Sequence, residues 1–214
     1  LPECKELGIY HQLDNVSRLE KSLATVGGGN HFIEVDEDED GKRYLIIHSG
    51  SRNFGHQVAS IYQKKAIEEG KRDSARRDIP RDLAYLEGYG AESYLHDMSI
   101  AQDYAKLNRK LMAQVIMEKT FGLDLEDREY FETVHNYIEE GTRMVRKGAV
   151  SAQEGEKLLI PLSMKDGALI ARGKGNKDWN YSAPHGAGRV LSRKMARDIL
   201  SLKEFEKSME GIFT

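Results

Sequence analysis

The sequence predicts an α+β fold in which small mixed or antiparallel sheets pack against helices. Three observations predict it. Short apolar runs come in pairs around turn-forming residues, as hairpins require. Two longer stretches repeat apolar residues at spacings of three and four, as helices with one buried face require. Strands and helices then intersperse without the strand–helix–strand repeat that builds a parallel sheet.

The elements follow in chain order. Residues 31–35 (His31 to Val35) and 43–48 (Arg43 to His48) read as a hairpin. Between them, Asp36, Glu37, Asp38, Glu39 and Asp40 with Gly41 make a solvated turn. The run lacks the loop spacing of an EF-hand, so it is read as a turn and not as a calcium site. Residues 56–69 predict a helix with Val58, Ala59, Ile61, Tyr62, Ala66 and Ile67 on its apolar face and Gly70 as its stop. Residues 99–120 predict a longer helix, with Ile100, Tyr104, Leu107, Leu111 and Val115 as its core stripe and Gly122 after its end. Residues 127–140 fit either a helix or a strand. Residues 158–162 and 168–172 read as strands around the turn Lys165-Asp166-Gly167. A short helix follows Ser192, and Ser201 with Glu204 forms a capping box for a last helix with Phe205 and Met209 on one side.

Composition bounds the class. A chain of 214 residues, 39% hydrophobic and 31% charged, is long enough to bury a sizeable core. With no internal repeat, no low-complexity linker and only four prolines, one continuous domain is the simplest reading. No apolar run approaches a membrane span, and the start does not resemble a signal peptide. The single cysteine, Cys4, excludes an internal disulfide and points to a reducing, cytoplasmic setting. Against 35 acidic residues stand 32 basic ones, a net charge of −3, so global charge does not advertise nucleic-acid binding. A local cluster exists at Lys71, Arg72, Arg76, Arg77 and Arg81, which reads first as a solvated face.

Several runs hold residues suited to chemistry. His185 sits between Pro184 and the small Gly186, Ala187 and Gly188, with Arg189 beyond. Small residues let backbone close on a bulky anion, and arginine offers a planar fork of donors for phosphate. The run suits a histidine that meets or attacks phosphate, and equally a loop histidine that caps a turn. Gly27, Gly28 and Gly29 lead into a strand and not a helix, so they are not a Walker loop. They allow either close approach to phosphate or a tight turn. Strand alternation would set Asn30, Phe32 and Glu34 on one side and His31 on the other. His48 ends a strand, and Ser49, Ser51 and Arg52 follow in a loop that suits phosphate or a polar turn. His56 reads as a capping or surface residue. His135 and Asn136 add a third run. His31, His48 and His135 could together hold a transition metal, although their spacing is no local ligand motif and three structural histidines is the alternative. Ser163, in Pro161 to Gly167, presents a hydroxyl on what its turn chemistry reads as a hairpin; Gly173 to Asn176 follow.

Together these runs resemble the RNA-splicing ligase RtcB family. Gly27 to Glu34, His48 to Arg52, Val134 to Asn136, Pro161 to Met164 and Pro184 to Arg189 match in the family's order, and Asn108-Arg109 in the long helix also matches. The resemblance spans roughly residues 26–210. It implies an RtcB-like α+β fold and an enzyme that joins RNA 3′-phosphate or 2′,3′-cyclic phosphate ends to 5′-hydroxyl ends, in tRNA splicing or RNA repair. It implies GTP and manganese, two ions in the family. By resemblance His185 is the nucleophile that carries guanylate (GMP) through a P–N bond. Asn30, Phe32, Glu34, Asn136, Ser163, Gly186, Ala187 and Gly188 match guanylate-binding positions. His31, His48 and His135 match metal-ligand positions, and Arg52 and Arg189 fall where phosphate or RNA contacts are expected. RNA ends and GTP are the implied partners, with archease as a further one in the family and no membrane.

The sequence also departs from the family. The upstream Asp-x-Gly-Cys-Gly segment, which supplies an Asp and a bridging Cys to the metals, has no counterpart, and Cys4 does not match it. The terminal segment with a guanylate-binding lysine lies beyond Thr214. Ala168 stands where a serine is usual, and Ala183 where a cysteine is common. Residues 1–214 are therefore expected to be a catalytic-domain segment of a longer enzyme that does not ligate RNA by itself. The alternatives are a non-catalytic guanine-nucleotide or RNA-binding fragment and a metal-dependent hydrolase built on the histidines.

Overall fold

The structure, a computed structural model, describes residues 5–213; Cys4 lies outside the described residues. The chain divides into two compact units, Leu1–Arg128 and Glu129–Thr214. The described strands form four two-stranded antiparallel sheets, so the α+β class is met by hairpin-sized sheets among helices.

In the first unit a short helix, α1 (Val16–Lys21), starts at Asn15, whose side chain accepts the Arg18 N–H. The hairpin β1 (Phe32–Glu37) and β2 (Arg43–His48) pairs in register from Phe32↔His48 to Glu37↔Arg43. Its acidic loop is the turn that the sequence indicates. Asp38 accepts the N–H groups of Asp40 and Lys42 at 3.0 and 2.9 Å, and the Tyr44 hydroxyl donates to its other oxygen. Two helices follow, α2 (Arg52–Arg72) and α3 (Gly88–Ile116), the latter ending in a π-helical turn closed by Gly122 in the left-handed conformation. They enclose the main core of Leu7, Ile9, Leu19, Phe54, Val58, Tyr62, Ile100, Ala101 and Tyr104. Phe54 meets Tyr104 edge to face at 5.2 Å, a favourable arrangement for two rings.

Both helices exceed their predicted bounds. Helix α2 begins at Arg52 instead of residue 56, so His56 is an exposed residue of its first turns and not a cap. It also passes through Gly70, which does not adopt the left-handed conformation that would end it. Helix α3 begins at Gly88 instead of residue 99. Gly88 and Gly90 weaken local propensity, but Tyr94 packs on Tyr62 at 5.2 Å, and tertiary packing overrides propensity. The buried stripe of α3 runs through Asp97, Ile100, Ala101, Tyr104, Ala105, Asn108 and Met112, whereas Val115, expected in the core, is exposed. Of the basic cluster, Arg76 is spent internally on Asp73 and Glu87.

The second unit is built of short strands. β3 (Asn136–Ile138) pairs with β4 (Val145–Lys147), which settles the ambiguous segment as a strand preceded by irregular chain. β5 (Ala149–Ser151) pairs with β8 (Ser182–Pro184), a pairing absent from the predicted elements. β6 (Lys157–Ser163) and β7 (Gly167–Arg172) form the predicted hairpin, with a bulge between Pro161 and Ser163. A bulge suits proline, which has no N–H to give to a ladder. The core here is small: Val150, Ala152 and Leu158, with Ile160, Ala171 and Ala183 against them. Helices α4 (Arg193–Ile199) and α5 (Leu202–Ser208) start at Ser192 and Ser201, and the Ser201–Glu204 capping box forms as predicted. No helix among the described residues is long and apolar enough to cross a membrane.

Candidate functional site

In the first unit the hairpin mouth gathers three of the expected site residues. The His48 ring lies 5.9 Å from the His31 ring and 5.2 Å from the Phe32 ring. Strict alternation had set His31 and Phe32 on opposite sides. Strand pairing begins only at Phe32, so His31 precedes the pleat and both rings turn toward His48. Beyond that point alternation holds: Phe32 and Glu34 are half-buried, while Ile33 and Val35 are exposed. Asn30 is exposed before the strand. Burial, and next the charge of Asp36, push the Glu34 carboxyl up to about 7.

His31 Nδ1 lies 2.7 Å from the Val26 carbonyl and 3.2 Å from Arg52 Nη1, and these two contacts set the ring's orientation. Histidines that ligate metals are commonly oriented through their second ring nitrogen. Arg52 reinforces the loop. Its guanidinium donates to the Thr25 hydroxyl and the Val26 carbonyl, both at 3.2 Å. Arg52 itself has φ of 58°, and Gly27, at φ of 86°, leaves the space its guanidinium fills: a Cβ there would lie 1.6 Å from Nη1. Arg52, matched by resemblance to phosphate contacts, thus braces the glycine-rich turn.

Asn108 of α3 locks the same mouth from below. It is fully buried, and its amide nitrogen donates to the Thr25 carbonyl, the Ser49 hydroxyl and the Gly50 carbonyl at 3.2–3.3 Å. Its oxygen accepts the Thr25 N–H, and Arg109 donates to the Ser49 carbonyl at 3.1 Å.

The second unit gathers another set. The His135 and His185 rings lie 4.8 Å apart, tilted by 35°. His185 Nδ1 is 2.6 Å from the Gly148 carbonyl. Gly148 N–H donates to the His135 carbonyl at 2.7 Å and to Asn136 Oδ1 at 3.0 Å. Behind them the buried Arg146 donates to the Tyr137 hydroxyl, Glu139 and the Ser182 hydroxyl, at 3.0–3.1 Å, and so ties β3 to β8. The Ala187 N–H donates to the Pro161 carbonyl at 3.0 Å, which pins the loop of Gly186, Ala187 and Gly188 to β6. Ser163 is exposed and spends its hydroxyl on Asp166 at 2.6 Å, within its own turn. Arg189 is exposed past Gly188. Ala183 packs on the small core, and Ala168 pairs with Pro161.

The imidazoles thus come as two pairs, one in each unit. Among the described residues no three His, Cys, Asp or Glu side chains converge closely enough to hold a metal ion. Within the first unit, the donor chemistry of His31 and His48, with rings 5.9 Å apart, fits manganese ligation. Sequence reasoning missed Gly148 and Arg146. Their only signal was a lone glycine after two basic residues in a stretch with no apolar period.

A family model described as tRNA-splicing ligase RtcB matches residues 9–212. The chain is similar to the protein named RNA-splicing ligase RtcB1 from one Escherichia coli strain, with 36% identity over 203 residues, covering 86% of this chain and 49% of the relative. It is 34% identical over 200 residues to RNA-splicing ligase RtcB of Escherichia coli strain K12, covering 86% and 49%. It is 31% identical over 242 residues to tRNA-splicing ligase RtcB of Aeropyrum pernix, covering 90% and 50%. The chain spans about half the length of the curated relatives it matches.

Proposed function

The chain belongs to the RtcB family of tRNA-splicing ligases, and from that premise we propose that it carries the guanylate-accepting chemistry of a GTP-dependent RNA ligase. The observation that carries the reading is the meeting of two distant motifs, with the His135 and His185 rings 4.8 Å apart and Asn136 bonded to the same glycine as His185. His185 Nε2 attacks the α-phosphorus of GTP. The lone pair forms an N–P bond, the bond to the β-phosphate oxygen breaks, and pyrophosphate leaves with that electron pair. Guanylate then passes to an RNA 3′-phosphate, the 5′-hydroxyl attacks the activated phosphate, and GMP leaves. Positioning supplies much of the rate in such transfers.

Glu34 recognises guanine by accepting its ring and exocyclic N–H groups, and Asn30 and Phe32 are further nucleotide contacts. In the second unit Asn136, Ser163 and the loop of Gly186, Ala187 and Gly188 are the candidate nucleotide contacts. Arg189, and Arg52 beside the first mouth, serve RNA or nucleotide phosphates. His31, His48 and His135 would hold manganese, which supplies charge neutralisation to the phosphates when bound. RNA ends are the partner substrates, and archease is a candidate activator.

Labelling with GTP marked at the α-phosphate, in manganese, tests the reading. The label is expected to be covalent, stable to alkali and lost in acid, and His185→Ala is expected to abolish it. A wild-type protein that binds GMP without a covalent label is a binding module; one that hydrolyses phosphate esters without a label is a hydrolase. Either result overturns the proposal.

A further inference from the structure

We propose that Gly148 is the positioning residue for His185: its carbonyl fixes the proton on Nδ1 and so makes Nε2 the nitrogen that reacts. The inference rests on the guanylate-accepting reading above for its consequence, but not for its geometry. A carbonyl cannot donate, and Nδ1 lies 2.6 Å from it, so the ring proton must sit on that nitrogen. In a free histidine side chain the opposite tautomer is the more populated one. The protein therefore holds the minor form, and that form points its lone pair away from Gly148.

The rest of the glycine supports this placement. Its N–H is shared between the His135 carbonyl and Asn136 Oδ1, at 2.7 and 3.0 Å. One residue thereby fixes the His135 main chain, the rotamer of Asn136 and the tautomer of His185. It lies between β4 and β5 with φ of 67°, where a side chain is strained. An added Cβ would lie 3.4 Å from Cε1 and 3.5 Å from Nδ1 of His185, against the edge of the ring. That is ordinary van der Waals contact, so it is the backbone turn that calls for glycine and not the imidazole.

The consequence for catalysis is differential. When Nε2 forms its bond to phosphorus, the electron pair of the broken P–O bond departs with pyrophosphate, and the Nδ1 proton stays in place. The ring is then cationic. Its N–H becomes a stronger donor, so the hydrogen bond to the Gly148 carbonyl tightens on the way to the adduct. An interaction that is stronger in the transition state than in the ground state raises the rate of the step and leaves GTP affinity nearly untouched.

The test reads the tautomer directly. Nitrogen NMR of the ring-labelled protein, at about pH 8.5 where an ordinary imidazole is neutral, is expected to show His185 with its proton on Nδ1. A through-bond coupling from that nitrogen to the Gly148 carbonyl carbon is expected as well. In Gly148→Ala the strained φ should shift the backbone and carry its carbonyl off Nδ1, mix the tautomers, and slow covalent labelling about 100-fold with little change in GTP affinity. Gly148→Asn, whose residue tolerates the left-handed conformation better, should fold more readily and, with the carbonyl nearer its place, mix the tautomers less. His185 protonated on Nε2 in the unsubstituted protein overturns the proposal, even if neither variant folds. So does a folded Gly148→Ala that keeps both the tautomer and the labelling rate. Absence of any label in the wild-type protein defeats the ligase reading alone, because the tautomer is measured without GTP.

Discussion

In both units a histidine Nδ1 meets a backbone carbonyl, that of Val26 for His31 and of Gly148 for His185, and the units differ in what braces the chain around it. In the first unit, His31 and His48 stand at the mouth of a hairpin braced by side chains, Arg52 at one edge and the buried Asn108 beneath. Those side chains come from two long helices packed on a core of nine buried residues. In the second unit, His135 and His185 are held by the main chain of Gly148, over a core of three. A large core can carry a buried polar clamp, because packing offsets the entropy of ordering it. Where the core is small, backbone hydrogen bonds between short strands do the positioning, and glycine lets the chains approach.

The largest effect that divides the two units is expected in the cores themselves. Phe54→Ala removes a fully buried ring that packs on Tyr104 and is expected to cost about 3–5 kcal/mol. Leu158→Ala in the second unit is expected to cost about 2 kcal/mol, at the low end for such a change, because a thin core between short strands can collapse around the gap. Native-state hydrogen exchange at α2 and α3 for the first, and at β6 and β7 for the second, measures both. An equal or greater cost at Leu158 would break the comparison.

A smaller effect separates the clamps. Asn108→Ala strips partners from the Thr25 N–H and carbonyl and from the Gly50 carbonyl, and is expected to cost about 1–3 kcal/mol. The loss should show as faster exchange of the Thr25 amide and a lower urea midpoint. Asn108→Asp keeps an acceptor but cannot donate, so it should lose about as much. If Asn108→Ala were neutral, the helix would not be bracing the hairpin mouth, and the contrast with the backbone-held pair would fail.

Much of this was legible in the sequence, and the illegible parts share a cause. The β1–β2 and β6–β7 hairpins follow from local alternation and turn chemistry, and the last two helices from their serine caps. The β5–β8 pairing is not local: it joins Val150 to Ala183 across more than thirty residues, and three-residue strands carry too little pattern to announce themselves. The early start of α3 depends on Tyr94 finding Tyr62, a contact that propensity does not contain. For the site, the motifs named the histidines but not what orients them. Asn108 was noticed by resemblance; the physical signal was present, since it continues the buried stripe of Asp97, Ala101 and Tyr104 as a polar residue at an apolar position. Gly148 acts through its peptide group, which every residue has, so side-chain chemistry could not single it out.

The smallest effect concerns Glu34, which has no counterpart among the described residues of the second unit: a carboxyl raised by burial and by a like charge, Asp36, on its own strand. Burial first, and Asp36 second, push it up to about 7, so the folded protein holds it neutral where the unfolded chain, with a carboxyl near 4.5, has already released the proton. Between those values the native state binds more protons than the unfolded state, so this residue's contribution to stability falls as pH rises from about 4.5 through about 7. The guanine recognition proposed for Glu34 runs the other way. Only the ionised carboxylate accepts from both guanine N–H groups, so GTP affinity is expected to rise over the same interval as stability declines. Asp36→Asn removes the repulsion and leaves the burial. It should lower the Glu34 midpoint in a carbon NMR titration and move the rise in GTP affinity to lower pH by the same interval. A Glu34 midpoint that stays put in Asp36→Asn assigns the shift to burial alone. A GTP affinity that ignores pH across the titration removes Glu34 from the nucleotide.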